Sequence, residues 1–217
     1  MAESKNAEAR VDVRDLTRQR IVAVARELYE EKGVQGLSMR LIAKRVGLPT
    51  MTLYGYFPNK IAIVRALWSM AFDPLFAAMR KAERAPAEPV QRLSLVANSI
   101  VDYWLEHPDL YRLVFLVEDR RERGDPNWYI SETDVVASYM RLAPLIAAAR
   151  GTPDIDCTAA AEALNCALTG IAHMRITVSE YPWAPSASYV DLILAGVIHG
   201  PLPARDLASP GQRSTSR

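Results

Sequence analysis

The chain has 217 residues, half of them hydrophobic, and a formal net charge of only +1. That length suits one large domain or a small domain fused to a larger one, and the near-neutral balance excludes a general polyanion binder. Two cysteines, Cys157 and Cys166, exclude a disulfide scaffold and point to a reducing compartment, and their spacing matches no CxxC metal or redox pair. The polar N-terminus lacks the apolar core of a signal peptide, and no run approaches the roughly 18 apolar residues of a membrane span. A soluble, cytoplasmic protein with no membrane contact is expected.

The charge is unevenly placed. Leu16 to Lys60 carries eight basic residues and three acidic ones, whereas Ile61 to the end carries fifteen basic and eighteen acidic. A basic N-terminal module on a mildly acidic body fits local phosphate contact. Residues 1–15 are charged without an apolar period and read as a flexible arm. A first helix is predicted from about Thr17 to Lys32, with Ile21, Val24, Ala25 and Leu28 at helical spacing and Gly33 placed to end it. Ser38 is a good N-cap for a second helix burying Met39, Ile42, Ala43 and Val46. Gly47 supplies the turn, where a positive φ is expected. A short third helix runs from Pro49 or Thr50 to Tyr56, is broken by Pro58-Asn59, and is followed by a fourth from about Lys60 carrying Ile63, Val64, Leu67 and Trp68.

Past Asp73-Pro74 the pattern stays helical. Helices are predicted at about Pro89–Glu106, after His107-Pro108, and at about Glu132–Arg150, Asp156–Ser179 and Ser186–His199. Glu118 to Asn127 is charged and broken by Gly and Pro, so it reads as a loop. From Pro201 the composition predicts disorder. No strand alternation stands out, and the fold class is all-α. The expected division is an arm at 1–15, a three-helix DNA-binding head at 16–60, a helical body at 61–200, and a tail at 201–217.

Ser38 to Lys60, SMRLIAKRVGLPTMTLYGYFPNK, is the stretch with specific chemistry. A helix-turn-helix needs a small residue where its helices touch (Ala43), a glycine at the turn (Gly47), and apolar residues that lock the second helix down (Leu48, Leu53). The outer face of the third helix is then free for the major groove. Thr50, Thr52, Tyr54 and Tyr56 donate to phosphates or base edges, and Met51 suits a thymine methyl group. Ser38 caps a helix whose N-terminus faces a phosphate. Arg40 and Lys44, one turn apart, either meet the DNA backbone or form an ordinary solvated face. Lys60 is the expected phosphate clamp. One of Tyr54 and Tyr56 has packing against the first helix as its alternative.

GLSMRLIAKRVGL, TLYGYF and PNK, followed by an apolar helix, resemble the TetR family of bacterial transcriptional regulators, across about Thr17 to Leu67. Tyr103 to Phe115 also resembles the central part of many members. The resemblance implies an operator-binding head and a C-terminal region that forms a ligand cavity and a dimer interface. It places DNA contacts on Ser38, Arg40, Thr50, Met51, Thr52, Tyr54, Gly55, Tyr56 and Lys60. The chain departs at Pro49, where a capping Ser is usual, at Thr50-Met51 in place of a common Lys-Gly pair, and at Gly55 in place of a larger residue.

Farther along, Trp68, Trp104, Tyr111, Phe115, Trp128, Met140 and Trp183 are either core or contacts to a bound molecule. Asn165, Thr169 and His173 fall on one face of the helix from Asp156, and such a polar stripe is costly unless satisfied. It lines a cavity or a subunit interface. Trp104, His107, Tyr111, Phe115, Met140, Asn165, Thr169 and His173 are the candidate effector site, with His107 alternatively just ending a helix before Pro108. Small residues in the last two long helices (Ala159, Ala160, Ala161, Ala163, Ala167, Gly170, Ala172, Ala195, Gly196) suit either an intrachain core or a four-helix dimer bundle. No nucleophile–base pair, metal spacing or phosphate loop is visible, so neither an enzyme nor a cofactor or metal is expected. The sequence therefore predicts a homodimeric regulator, in the first place a repressor, that binds a pseudo-palindromic operator and is released by a small apolar or amphipathic effector. The alternative is a helical small-molecule sensor without specific DNA readout.

Overall fold

The computed structural model describes residues 2–117 and 133–200, with side chains from residue 13 onward and from 135 onward in the second stretch. The loop expected at Glu118–Asn127, Trp128 and the tail from Pro201 lie outside the described residues. Those described form eleven α-helices and no strand. They are α1 (Ala2–Lys32), α2 (Met39–Val46), α3 (Thr50–Tyr54), α4 (Lys60–Ala66), α5 (Trp68–Glu83), α6 (Pro89–Glu106), α7 (Pro108–Phe115), α8 (Thr133–Met140), α9 (Leu142–Ala149), α10 (Thr158–Thr177) and α11 (Ser186–His199).

Local chemistry sets the boundaries of the head. α1 ends at Gly33, whose φ of 61° suits glycine, and a 3-10 turn over Gly33–Gly36 follows. Ser38 Oγ accepts from the Leu41 amide and caps α2. Gly47 takes φ 80° and its amide bonds back to Ala43, the left-handed exit that most residues avoid. Asn59 Oδ1 accepts from the Ala62 amide at 2.9 Å and caps α4. Arg45 grips Glu31 through two bonds of 3.0 Å, tying α2 to α1.

Two buried clusters follow. The head cluster contains Ile21, Ala25, Leu28, Leu37, Ile42, Ala43, Val46, Leu53, Phe57, Ile63, Val64 and Leu67, together with Leu113 from α7. The body cluster begins at the next residue, Trp68, and is built around α6, which packs against α5, α7, α9, α10 and α11. Tyr29, Tyr103 and Tyr111 are buried, and burial pushes each phenol up to about 12.

Several expectations are corrected. The first helix starts at Ala2, not near Thr17. Residues 2–15 are rich in Ala, Glu, Arg and Lys and contain no Gly or Pro, so propensity carries the helix where apolar periodicity is absent. As expected, the pattern stays helical past Pro74, which lies inside α5. Asp73 and Pro74 are both exposed, so the proline ring sits on the outer face of the helix. The helix expected at 132–150 breaks at Arg141 into α8 and α9. Met39 is only half-buried. Finally, Lys60–Glu83 is 24 residues long with a mean hydropathy of 1.4, long and apolar enough by length and composition to cross a membrane. Its apolar side chains fill the two cores, Ile63, Val64 and Leu67 in one, Trp68, Phe72, Leu75, Phe76 and Met79 in the other.

Gly47→Ala should cost about 1–2 kcal/mol, the penalty for a β-carbon in the left-handed region, and Gly47→Asn should cost less. Chemical denaturation checks this, and an unchanged midpoint for the alanine variant would contradict it. The three tyrosines predict a second effect. The folded state holds these protons to about pH 12, whereas the unfolded chain releases them near pH 10. Their contribution is fully present below pH 10 and is lost as pH rises toward 12. Denaturation midpoints should fall across that window, and Tyr111→Phe should fall less steeply.

Candidate nucleic-acid interface and interior site

α3 is a five-residue helix, anchored by a single fully buried side chain of its own, Leu53. Phe57, just past its end, is also fully buried. With Leu53 inward, the other side chains face out. Met51 is 80% exposed and Tyr54 45% exposed. Thr52 and Gly55 are exposed, while Thr50 and Tyr56 are half-buried. Among the described residues the Thr52 and Tyr54 side chains make no hydrogen bond within the chain. Large exposed Met and Tyr side chains beside unpaired hydroxyls are costly decoration for a monomer surface and useful to a groove reader.

Cations surround this face. Arg40 and Lys44 are exposed on α2 and make no ion pair among the described residues, so both are free to meet phosphate. Lys60 is half-buried, with Nζ 3.4 Å from the Val34 carbonyl. Ser38 is exposed, its hydroxyl oxygen already accepting from the α2 amide. Tyr56 does not stand clear of the protein, because the Arg14 guanidinium lies 6.0 Å from its ring centroid. Two further arginines bear on this face without having stood out in the sequence. Arg14 Nη2 donates to the Gly55 carbonyl at 3.3 Å and Arg18 Nη1 to the Tyr56 carbonyl at 3.1 Å. The signal available was their i, i+4 spacing, obscured by reading 1–15 as an arm.

The interior candidates divide. Trp104 is fully buried and meets Tyr111 at 5.6 Å, Phe115 at 5.4 Å and Phe72 at 6.1 Å between ring centroids, all edge-on. The Tyr111 hydroxyl and His173 Nδ1 share a hydrogen bond of 3.2 Å, joining α7 to α10. Four of the eight candidates, Trp104, Tyr111, Phe115 and His173, are thus in one connected group. Met140 packs on the edge of the body core. Asn165 and Thr169 are half-buried on α10. His107 is exposed, 4.6 Å from the Tyr103 ring, at the junction of α6 and α7. Among the described residues, Trp104 Nε1, Tyr103 Oη and Asn165 Oδ1 are buried without a hydrogen-bond partner. Such atoms cost about 1–3 kcal/mol each when left unmade.

Three open grooves are formed by other residues. One of about 510 Å³ lies between α1 and the α4–α5 junction, lined by Arg18, Val22, Arg26, Leu67 and Met70 among others. One of about 460 Å³ lies by Lys60 and Arg112. The third, about 350 Å³, is almost wholly apolar and runs between α10 and α11 along Gly170, Ile171, Met174, Trp183, Tyr189 and Leu192. The small-residue stripe splits accordingly. Ala160, Ala161 and Ala172 are in the chain's own core, whereas Ala163, Gly170, Ala195 and Gly196 are exposed, next to Leu192 at 73% exposure.

Residues 21–67 match the family model described as bacterial regulatory proteins, tetR family. The HTH-type transcriptional activator FasR of Mycolicibacterium smegmatis is 29% identical over 125 residues, 57% of this chain and 52% of that one. The HTH-type transcriptional regulator UidR of Escherichia coli K12 is 29% identical over 133 residues, 58% of this chain and 65% of that one. The chain thus spans about half to two thirds of the length of these relatives. Among solved structures, Thermus thermophilus FadR, a TetR-family transcriptional repressor in complex with lauroyl-CoA, superposes with a TM-score of 0.59 at 21% identity, over 89% of this chain and 99% of that one. At that identity the likeness concerns the fold. Residues 21–67 of the head thus match the TetR family of bacterial regulatory proteins, and the described helices share the fold of that solved neighbour.

Proposed function

We propose that this protein is a dimeric transcriptional regulator that reads an operator with α3 and is released by a small effector bound in the helical body. The observation that carries the reading is the outward face of α3, with Met51 and the unpaired hydroxyls of Thr52 and Tyr54 beside the unpaired cations Arg40 and Lys44. Thr50, Gly55, Tyr56, Lys60 and Ser38 complete the contact surface. On this reading the head spans 16–60, with the N-terminal part of α1 before it, and the body spans 61–200, followed by a tail at 201–217. It works in the cytoplasm, where its DNA is.

A short helix gives little specificity alone, so two copies should sit in successive major grooves, about 34 Å or a multiple apart. The exposed, nearly apolar face of α10 and α11 supports a second copy as the partner. Support for an effector comes from the buried donor of Trp104, set among aromatic rings, and the buried acceptor of Asn165, both without partners among the described residues. Such a lining suits an amphipathic molecule, in keeping with the lauroyl-CoA held by the Thermus neighbour. The site would comprise Trp104, Tyr111, Phe115, Met140, Asn165, Thr169 and His173, with His107 at its rim. The effector must bind the two head arrangements with different affinity, and its coupling to DNA is then reciprocal. α4, between head and body, is one lever. α7 is a second one, since Leu113 is buried in the head core and Tyr111 in the body core. Repression is the first reading of its action, in keeping with the Thermus neighbour described as a repressor.

Selection from a random duplex pool by the purified protein, followed by sequencing, tests the reading. An enriched inverted repeat, bound at least about 10³-fold tighter than random duplex at physiological salt, is expected. Weak binding without enrichment would leave a helical sensor with no sequence readout.

A further inference from the structure

We propose that Arg14 and Arg18 are positioning residues for DNA readout: they fasten the turn after α3 to α1 and so fix the direction in which Thr52, Tyr54 and Tyr56 leave the head. The inference rests on the DNA-reading role of α3 proposed above.

The two arginines are four residues apart on α1, hence on one face. They hold consecutive carbonyls, Arg14 that of Gly55 at 3.3 Å and Arg18 that of Tyr56 at 3.1 Å. Each guanidinium also lies over an aromatic ring of the same turn. Arg18 Cζ is 4.3 Å from the Phe57 centroid and Arg14 Cζ is 6.0 Å from the Tyr56 centroid. A guanidinium donates in its plane while its flat face stacks on a ring, and an ammonium group cannot do both. The pairing therefore uses what is particular to arginine, at both positions and on adjacent residues.

The fastening matters because α3 has no other polar restraint of this kind. Its N-cap position is Pro49, which makes no side-chain cap. Its N-terminal end is set by the Gly47 turn and its middle by Leu53. The C-terminal end, where Tyr54 and Tyr56 stand, is held laterally by α1. A direct phosphate contact by the same arginines would depend on charge and not on the planar fork, and this difference makes the two roles separable.

The test uses the full chain with Arg14→Lys and Arg18→Lys combined, which keeps the charge and removes the fork. In the free protein, amide exchange at Gly55, Tyr56 and Phe57 should be roughly five- to tenfold faster, the effect of losing about one net hydrogen bond. The affinity ratio of selected over random duplex should fall by a similar factor, with the slope of log affinity against log salt unchanged. Wild-type exchange and a wild-type ratio would overturn the proposal. Faster exchange with an undiminished ratio would overturn it too, leaving a purely structural tie. If the wild-type protein selects no duplex at all, the operator reading fails on its own, and wild-type exchange in the variant would still refute the fastening.

Discussion

The structure depends on how a five-residue helix is kept helical. Isolated helices shorter than about 12–15 residues are marginal in water, and α3 is less than half that length. It exists because Leu53 and Phe57 are fully buried in the head core. Burial of side chains of this size stabilises by about 1.5–3 kcal/mol each, enough to hold one turn of helix whose own hydrogen bonds cannot. The outward face is the consequence. A helix held by one inward residue presents nearly all the rest to solvent, so Met51, Thr52 and Tyr54 are free while the backbone beneath them is fixed.

The rest of the head supplies that core. α1 contributes Ile21, Ala25 and Leu28, α2 contributes Ile42, Ala43 and Val46, and Ile63 and Val64 of α4 close it together with Leu67, which follows that helix. Ala43 is fully buried where α2 meets its neighbours, and a larger side chain there would hold the helices apart. The same continuous stretch passes from the head core at Leu67 to the body core at Trp68. α7 bridges the cores a second time through Leu113 and Tyr111. Tyr111 in turn bonds His173 on α10. A change in the body that moves α7 therefore has a packed route into the head core through Leu113.

Features governed by local chemistry were legible in the sequence. Ser38 capping α2, the positive φ of Gly47, the start of α6 at Pro89, and α11 at Ser186–His199 are set by one or a few residues each. The all-α class and the helix-turn-helix were legible for the same reason. What was not legible depends on distant partners or on the absence of a signal. The helix over residues 2–15 has no apolar period in the sequence to announce it. For Trp104 and Tyr111 the sequence offers no distinction between core and cavity, because both need large apolar side chains at helical spacing. The roles of Arg14 and Arg18 follow from carbonyls about 40 residues away, which no local pattern encodes.

The central claim is that the exposed face of α3 reads bases. The most direct measurement repeats the duplex selection with Met51→Ala and Thr52→Ala combined and compares the enriched sequences base by base with those of the wild-type protein. The account predicts a relaxed preference at the same position or positions in both half-sites, with half-site spacing unchanged. An identical enriched sequence would contradict it, because the specificity would then come from residues other than those α3 presents.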